Sequence, residues 1–217
     1  MSFLTATHHT SVLTPVPAHI PRPRILSLLH DHTRMITLNP LVTAHHLLSS
    51  DASSKISLDF FRQEAKDLWP SDAYPGCTDI WEITDDMGSA KNGESSGWRG
   101  SWASKFIPEK ITYNSSLQDR EDGMVSVTHA PMGVHSVTSW VVREVEGEGE
   151  KKWVLEERGE VRASRFLMGF IKTTLQESHE KLVRDFMAVL EEEARGGEQA
   201  KGSGKENEFG ETVGEEL

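Results

Sequence analysis

Ser164–Glu193 reads SRFLMGFIKTTLQESHEKLVRDFMAVLEEE, with no proline and one internal glycine, Gly169. Met168, Ile171, Leu175, Leu182, Phe186, Val189 and Leu190 recur at steps of three, four or seven, which is the spacing of one helical face. At 1.5 Å per residue a helix of this length spans roughly 45 Å, enough to cross a small domain. Its halves differ. Phe166 and Phe170 fall opposite the stripe, so the first three turns are apolar nearly all round and are expected to be buried on more than one side. From Glu177 onward, Glu180, Lys181 and Arg184 mark a solvated outer face. The closing Glu191–Glu193 run opposes the helix dipole, and the end is expected to fray there.

Upstream lies material for a sheet. FLTATHHTSVLT (3–14) reads as a first strand ending at Pro15. Arg22-Pro23 followed by RILSLLHDH predicts a helix with proline in its first turn, facing inward through Ile25, Leu28 and Leu29. Thr33 is the expected cap of a second short helix that must stop before Pro40. LVTAHHLLS (41–49) returns to strand composition. Residues 50–79 are ambiguous, with SLDFFRQEAKDLWP leaning toward helix. TDIWEITDD (78–86) reads as a strand, and the Gly/Ser-rich stretch 87–104 as a loop holding Trp98 and Trp102. KITYNSSLQD, MVSVTHAPMGVHSVTSWVVREV (broken at Pro131 and Gly133) and KWVLEERGEVRA then follow with short polar turns between them, the pattern of an antiparallel meander. Strands in a run, with helices grouped near the ends, predict an α+β fold with one antiparallel sheet.

The composition narrows the functions. The 217 residues are 36% hydrophobic and 26% charged, with a net charge of −11. From Glu191 onward there are nine Glu against three Lys or Arg, a net of −6, so the first 190 residues carry −5. Residues 1–194 are expected to form a single domain and 195–217 a disordered acidic tail. An acidic chain without a basic stripe argues against nucleic acid. No apolar run approaches the ~20 residues of a membrane span. The N-terminus has neither an apolar signal core nor an Arg-rich leader, and Cys77 is the one cysteine, so the cytoplasm is the expected compartment. The composition leaves the oligomeric state open.

The element order, with HDHTRMITLNPLV (30–42), ITD (83–85), THAPMGV (128–134) and FLMGFIKTTLQESHEKLV (166–183), resembles the START-like helix-grip superfamily (SRPBCC type) of polyketide cyclases, lipid-transfer domains and pollen-allergen-type proteins. Within it the chain is similar to a fungal branch classed as a domain of unknown function. The likeness covers about residues 5–190. It implies a curved antiparallel sheet wrapped around a long C-terminal helix, two short helices after the first strand, and an internal cavity. It carries over no catalytic residue. The segment DMGSAKNGESSGWRGSWASKF departs from the pattern near the expected cavity entrance.

His129 is the candidate for chemistry. Along MVSVTHAP, Val125, Val127 and His129 share one strand face, and the apolar set is expected to face inward and take the imidazole with it. His129 is then either a general base or ligand hydrogen-bonder, or a structural histidine held at the bend near Pro131. The pairs His8-His9 and His45-His46 each split across a strand, and with no HExxH or CxxC a metal site is not expected. Asp85-Asp86 reads as turn chemistry or, less often, an acid pair. No Walker loop, GxGxxG or GxSxG is present, and no cofactor is expected. The expected partner is a hydrophobic or amphipathic small molecule enclosed in the cavity, and the resemblance extends this to a cyclase- or dehydratase-like step on it in secondary metabolism. The alternatives are a non-catalytic lipid or metabolite carrier, or an interaction module with a self-filled core. The residues expected to meet a ligand are Trp81, Ile83, Tyr113, Val127 and His129 from the sheet, and Thr174 and Ser178 from the middle of the helix.

Overall fold

A computed structural model describes residues 4–48, 79–87, 108–146 and 151–203. The expectations for 50–78, the 88–104 loop with Trp98 and Trp102, and Cys77 lie outside these residues. So does the tail beyond Ser203.

Seven strands form one antiparallel sheet: β1 (Thr5–Pro15), β2 (Val42–Leu47), β3 (Asp79–Asp86), β4 (Lys110–Arg120), β5 (Gly123–Ala130), β6 (Val134–Glu146) and β7 (Lys151–Ser164). Their spatial order is β1-β7-β6-β5-β4-β3-β2, so β3 to β7 run as a meander and β1 closes onto the last strand. Helices α1 (Arg22–Leu29) and α2 (His32–Thr37) connect β1 to β2, and α3 (Arg165–Ser203) follows β7. This is the expected α+β arrangement of a curved sheet gripping a C-terminal helix.

Local chemistry sets the joints. Pro23 sits in the first turn of α1, where a missing N–H leaves no gap in the helical ladder. The cap of α2 is Asp31, whose carboxylate accepts from the Arg34 backbone N–H at 3.0 Å, and not Thr33, which lies inside the helix. The carboxylate binds the exposed amide more strongly than a hydroxyl, which moves the start two residues upstream. Between β5 and β6, Pro131–Gly133 makes a tight turn with Met132 and Gly133 both at positive φ, 64° and 70°. The β4–β5 hairpin needs Gly123, because a Cβ there would run into the main-chain carbonyl of Trp140.

Three apolar clusters hold the molecule. The largest joins Ile25, Leu28 and Leu29 of α1 and Met35 and Ile36 of α2 to Leu117, Met124, Trp140 and Leu155 of the sheet and to Phe186 and Leu190 of α3. A second binds the N-terminal half of α3, through Met168 and Ile171, to Val161 and Ala163 of β7, with Leu167, Phe170 and Ala6 packed beside it. A third lies on the opposite sheet face and contains Ile80, Val125 and Val127. The helix is thus fastened twice, at its first turns and again around Phe186 and Leu190.

Two expectations for the helix are corrected. The first turns are not buried all round, since Phe166 is 69% exposed while Phe170 is half-buried. Nor does the helix fray at Glu193. It continues to Ser203, because Glu193 is neutralised by α1 and α2: its carboxylate pairs with Arg34 and, at 3.6 Å, with Arg24. Arg24 also donates to the Glu193 carbonyl at 3.3 Å. Cations placed against the helix there offset the unfavourable meeting of carboxylates and dipole.

Gly123 and Gly169 make a paired test. Gly123→Ala forces the hairpin away from Trp140 and should cost several kcal/mol of unfolding free energy in urea titrations. Gly169→Ala meets nothing within 4 Å and, by helix propensity, should stabilise by about 0.5–1 kcal/mol.

Candidate functional site

Between these two attachments, α3 passes over a part of the sheet that it does not fill. The antiparallel register places side chains in rows across the strands. One row on the helix-facing side is Ser115, Thr128, Ser136, Val161 and His8, and the next is Leu117, Ser126, Thr138, Gly159 and Thr10. Eight of these ten side chains are hydroxyl-bearing, aliphatic and small, or absent. Bulk returns only in the following row, with Met124 and Trp140, where the main cluster begins. Small side chains facing a straight helix leave volume, and the result is a partly open cavity of about 930 Å³. Its roof is the stretch of α3 between the attachments, including Thr174, Leu175, Ser178 and His179, and one wall is built from Met35, Ile36 and Asn39 of α2 and its exit.

The expected ligand contacts divide. Ile83, Tyr113, Thr174 and Ser178 line the cavity. Val127 and His129 do not: the alternation that groups them with Val125 is present, but the set faces the other side of the sheet, where Val125 and Val127 are buried against Ile80. Both faces of β5 are covered, so apolar character alone does not mark the cavity side. The His129 ring meets His135 across the Pro131 turn, with Nδ1 to Nδ1 at 2.8 Å and ring centroids 4.5 Å apart. Trp81 is on the helix-facing side but packs into the main cluster and against His45, with centroids 5.8 Å apart, and is not part of the lining.

The remaining histidines are dispersed. His8 lines the cavity, and its pKa is lowered by partial burial first and then by Lys172 and His9. His30 Nε2 lies 3.0 Å from the Gly123 carbonyl and 3.1 Å from that of Arg120, and steadies the hairpin. His32 binds Asp119 at 2.9 Å. Among the described residues no cluster of three or more His, Cys, Asp or Glu forms a metal-binding group.

Two acids in the lining, each with a partner, were not among the expected contacts. The first is Glu157 with His179. Glu157 is 3% exposed on β7 beside Trp140, and His179 Nδ1 contacts its Oε1 while the imidazole stacks on Trp140 with centroids 6.5 Å apart. Its other oxygen, Oε2, is buried with no hydrogen-bond partner among the described residues, as is Thr174 Oγ1. The second is Asp85 with Tyr113. The register sets Asp85 one row beyond the Ile83–Tyr113 pair, so the phenol reaches back and donates to Asp85 Oδ1 at 3.3 Å. Burial raises the Asp85 carboxyl to about 6, against the smaller opposing effect of the Tyr113 hydrogen bond. Burial, and then the neighbouring Asp85 charge, hold the Tyr113 hydroxyl well above the ordinary phenol range, so it stays a proton donor. The sequence signal for Asp85 was its two-residue spacing from Ile83 on a strand, which puts both on one face.

A seven-stranded antiparallel sheet closed over a C-terminal helix, with two short helices after the first strand and a cavity under the helix, is a helix-grip fold. Residues 5–192 match the family described as Domain of unknown function (DUF7053), and the chain belongs to it. No curated protein matches the chain. Solved structures of similar shape include the Zhui aromatase/cyclase from Streptomyces sp. R1128, at 12% identity and a TM-score of 0.47, covering 86% of this chain and 94% of that one. The di-domain ARO/CYC StfQ of the steffimycin biosynthetic pathway gives 9% identity and a TM-score of 0.49, covering 88% of this chain and 52% of that one. A protein from Deinococcus radiodurans gives 10% identity and a TM-score of 0.42, covering 88% and 98%. No helix among the described residues is long and apolar enough to cross a membrane.

The raised Asp85 pKa sets a pH dependence. In the unfolded chain this carboxyl ionises near 4, so between about pH 4 and pH 6 the folded state holds the extra proton and ionisation of Asp85 erodes stability as pH rises. Asp85→Asn keeps an acceptor for Tyr113 and removes the charge. It should stabilise the protein by on the order of 1–2 kcal/mol at pH 7, allowing for partial solvation, and change little at pH 4. Denaturant titrations at the two pH values read the difference.

Proposed function

We infer that the protein binds a hydrophobic or amphipathic small molecule in the cavity beneath α3. The observation that carries this reading is the unfilled volume of about 930 Å³ between apolar walls and a hydroxyl-rich floor, under a stretch of helix well packed on either side of it. Ligand pockets are typically concave sites of ~300–1,000 Å³, mostly apolar, with a few placed polar groups. A core filled by its own side chains, the interaction-module alternative, has no use for such a volume. Carriage without chemistry needs nothing further from the residues present.

A second reading is that the bound molecule is also transformed, as in the cyclase- or dehydratase-like expectation. One observation favours it: Asp85 changes protonation near neutral pH inside the cavity, as a general acid or base must. His129 has no place in either reading, because it lies on the far side of the sheet from the cavity.

Native mass spectrometry of the protein from its source cells should show a co-purifying small molecule. Thr138→Phe and Ser126→Phe project into the cavity floor and should lower binding of an apolar reporter such as 1-anilinonaphthalene-8-sulfonate by roughly tenfold or more, with the far-ultraviolet circular dichroism retained. Equal binding by the filled variants would refute the cavity reading.

A further inference from the structure

We propose that the Asp85–Tyr113 pair is a head-group site, and that the cavity's ligand is an amphipathic molecule presenting a hydrogen-bond donor, an amine or a hydroxyl, to the Asp85 carboxylate. This rests on the cavity reading above and adds the polarity of the ligand and the end at which its head lies.

The argument begins with where charge is placed. The cavity wall built from α2, β2, β3 and β4 contributes Met35, Ile36, Val42, Ile83, Met87 and Ile111 as its apolar surface, and Asp85 is the one ionisable carboxyl on it. The lining's remaining charged groups, Lys172, Glu157, Glu180 and Arg184, are on β7 and α3. Asp85 is therefore a lone acid set in an apolar wall. A charge in such surroundings is costly unless it is met, and among the described residues it is met by one phenol hydroxyl at 3.3 Å, a long contact for an O–H donor. A carboxylate can accept several hydrogen bonds, so capacity remains for a ligand.

Tyr113 makes the site selective in sign. Its hydroxyl is committed to Asp85 and stays protonated, so the pair presents acceptor capacity and negative charge, with no cation paired to it among the described residues. Asn39, on the same wall, has its side-chain oxygen occupied by the Leu41 N–H at 3.1 Å. A carboxylate- or phosphate-headed molecule would meet repulsion at this end, and an ammonium or hydroxyl head would meet a partner. The hydrocarbon or ring body then lies along Ile83, Met35 and Ile36 toward the hydroxyl floor.

Asp85 also sets the pH window. Among the described residues Tyr113 is the titratable group that bears on its ionisation, and the other side chains that α2, β2, β3 and β4 contribute to the cavity lining are neutral. The carboxyl is charged above about pH 6 and neutral below, so preference for a cation over an anion should be present at high pH and fade as pH falls through that value.

Decylamine, decanol and decanoate, matched in chain length and kept below their micelle concentrations, test this by isothermal titration of the full-length protein. At about pH 8 the amine should bind roughly tenfold or more tightly than the carboxylate, with the alcohol between them, and near pH 5 the gap should close. Asp85→Asn should abolish the amine-over-carboxylate preference while the alcohol still binds. Tyr113→Phe should retain the preference, because the charge is retained. Should decanoate bind as tightly as decylamine at pH 8, or Asp85→Asn leave the ratio unchanged, the head-group assignment is wrong while the cavity reading stands. Binding of none of the three probes by wild type would sink the cavity reading and this assignment together.

Discussion

The structure depends on how α3 is held. The helix is clamped at two places, by Met168 and Ile171 of its first turns against the end of β7, and further on by Phe186 and Leu190 packing into the main cluster. Burying four such side chains contributes on the order of 6–12 kcal/mol before entropy is counted. With both places secured, the turns between them need no tight packing beneath them. A gap that would collapse under a helix fixed at one place persists because a helix is stiff along its axis and the sheet is tied by continuous ladders.

The ion pairs of Glu193 belong to the same arrangement. Arg34 comes from α2, which contributes to the apolar wall of the cavity, and Arg24 from α1, which shares the main cluster with it, so α3 at Glu193 and that wall are fastened to each other. Exposed pairs contribute little to stability. Their role here is geometric: they set how far α3 stands from α2, and that spacing is one dimension of the cavity.

Much of this was legible in the sequence. The helix, the strands within the described residues, the proline-started α1 and the bend near Pro131 all follow from local rules. The turn around Thr174 and Ser178 was legible as roof because polar residues interrupt an apolar stripe. The cavity floor was not. A strand buried on both faces gives an alternation without an arrow, and the larger residues Val125 and Val127 drew the reading to the wrong face. The cavity lies against the smaller set, Ser126 and Thr128. A cavity is a deficit of volume, and a deficit is written by small side chains brought together from several strands, which only register reveals. Asp85 was visible as a residue but not as a buried one, since its environment is made by α2 and β4.

The hydroxyl floor has a consequence for descent. Ser126, Ser136, Thr138 and Thr10 belong to none of the three apolar clusters. They make the ladder bonds any residue would make and leave cohesion to the two clamps on the helix. Drift at these positions therefore reshapes the chamber at little cost to folding. Members of the family are free to diverge in what they enclose while the grip on the helix stays under selection, and the clamp residues should vary more slowly than the floor.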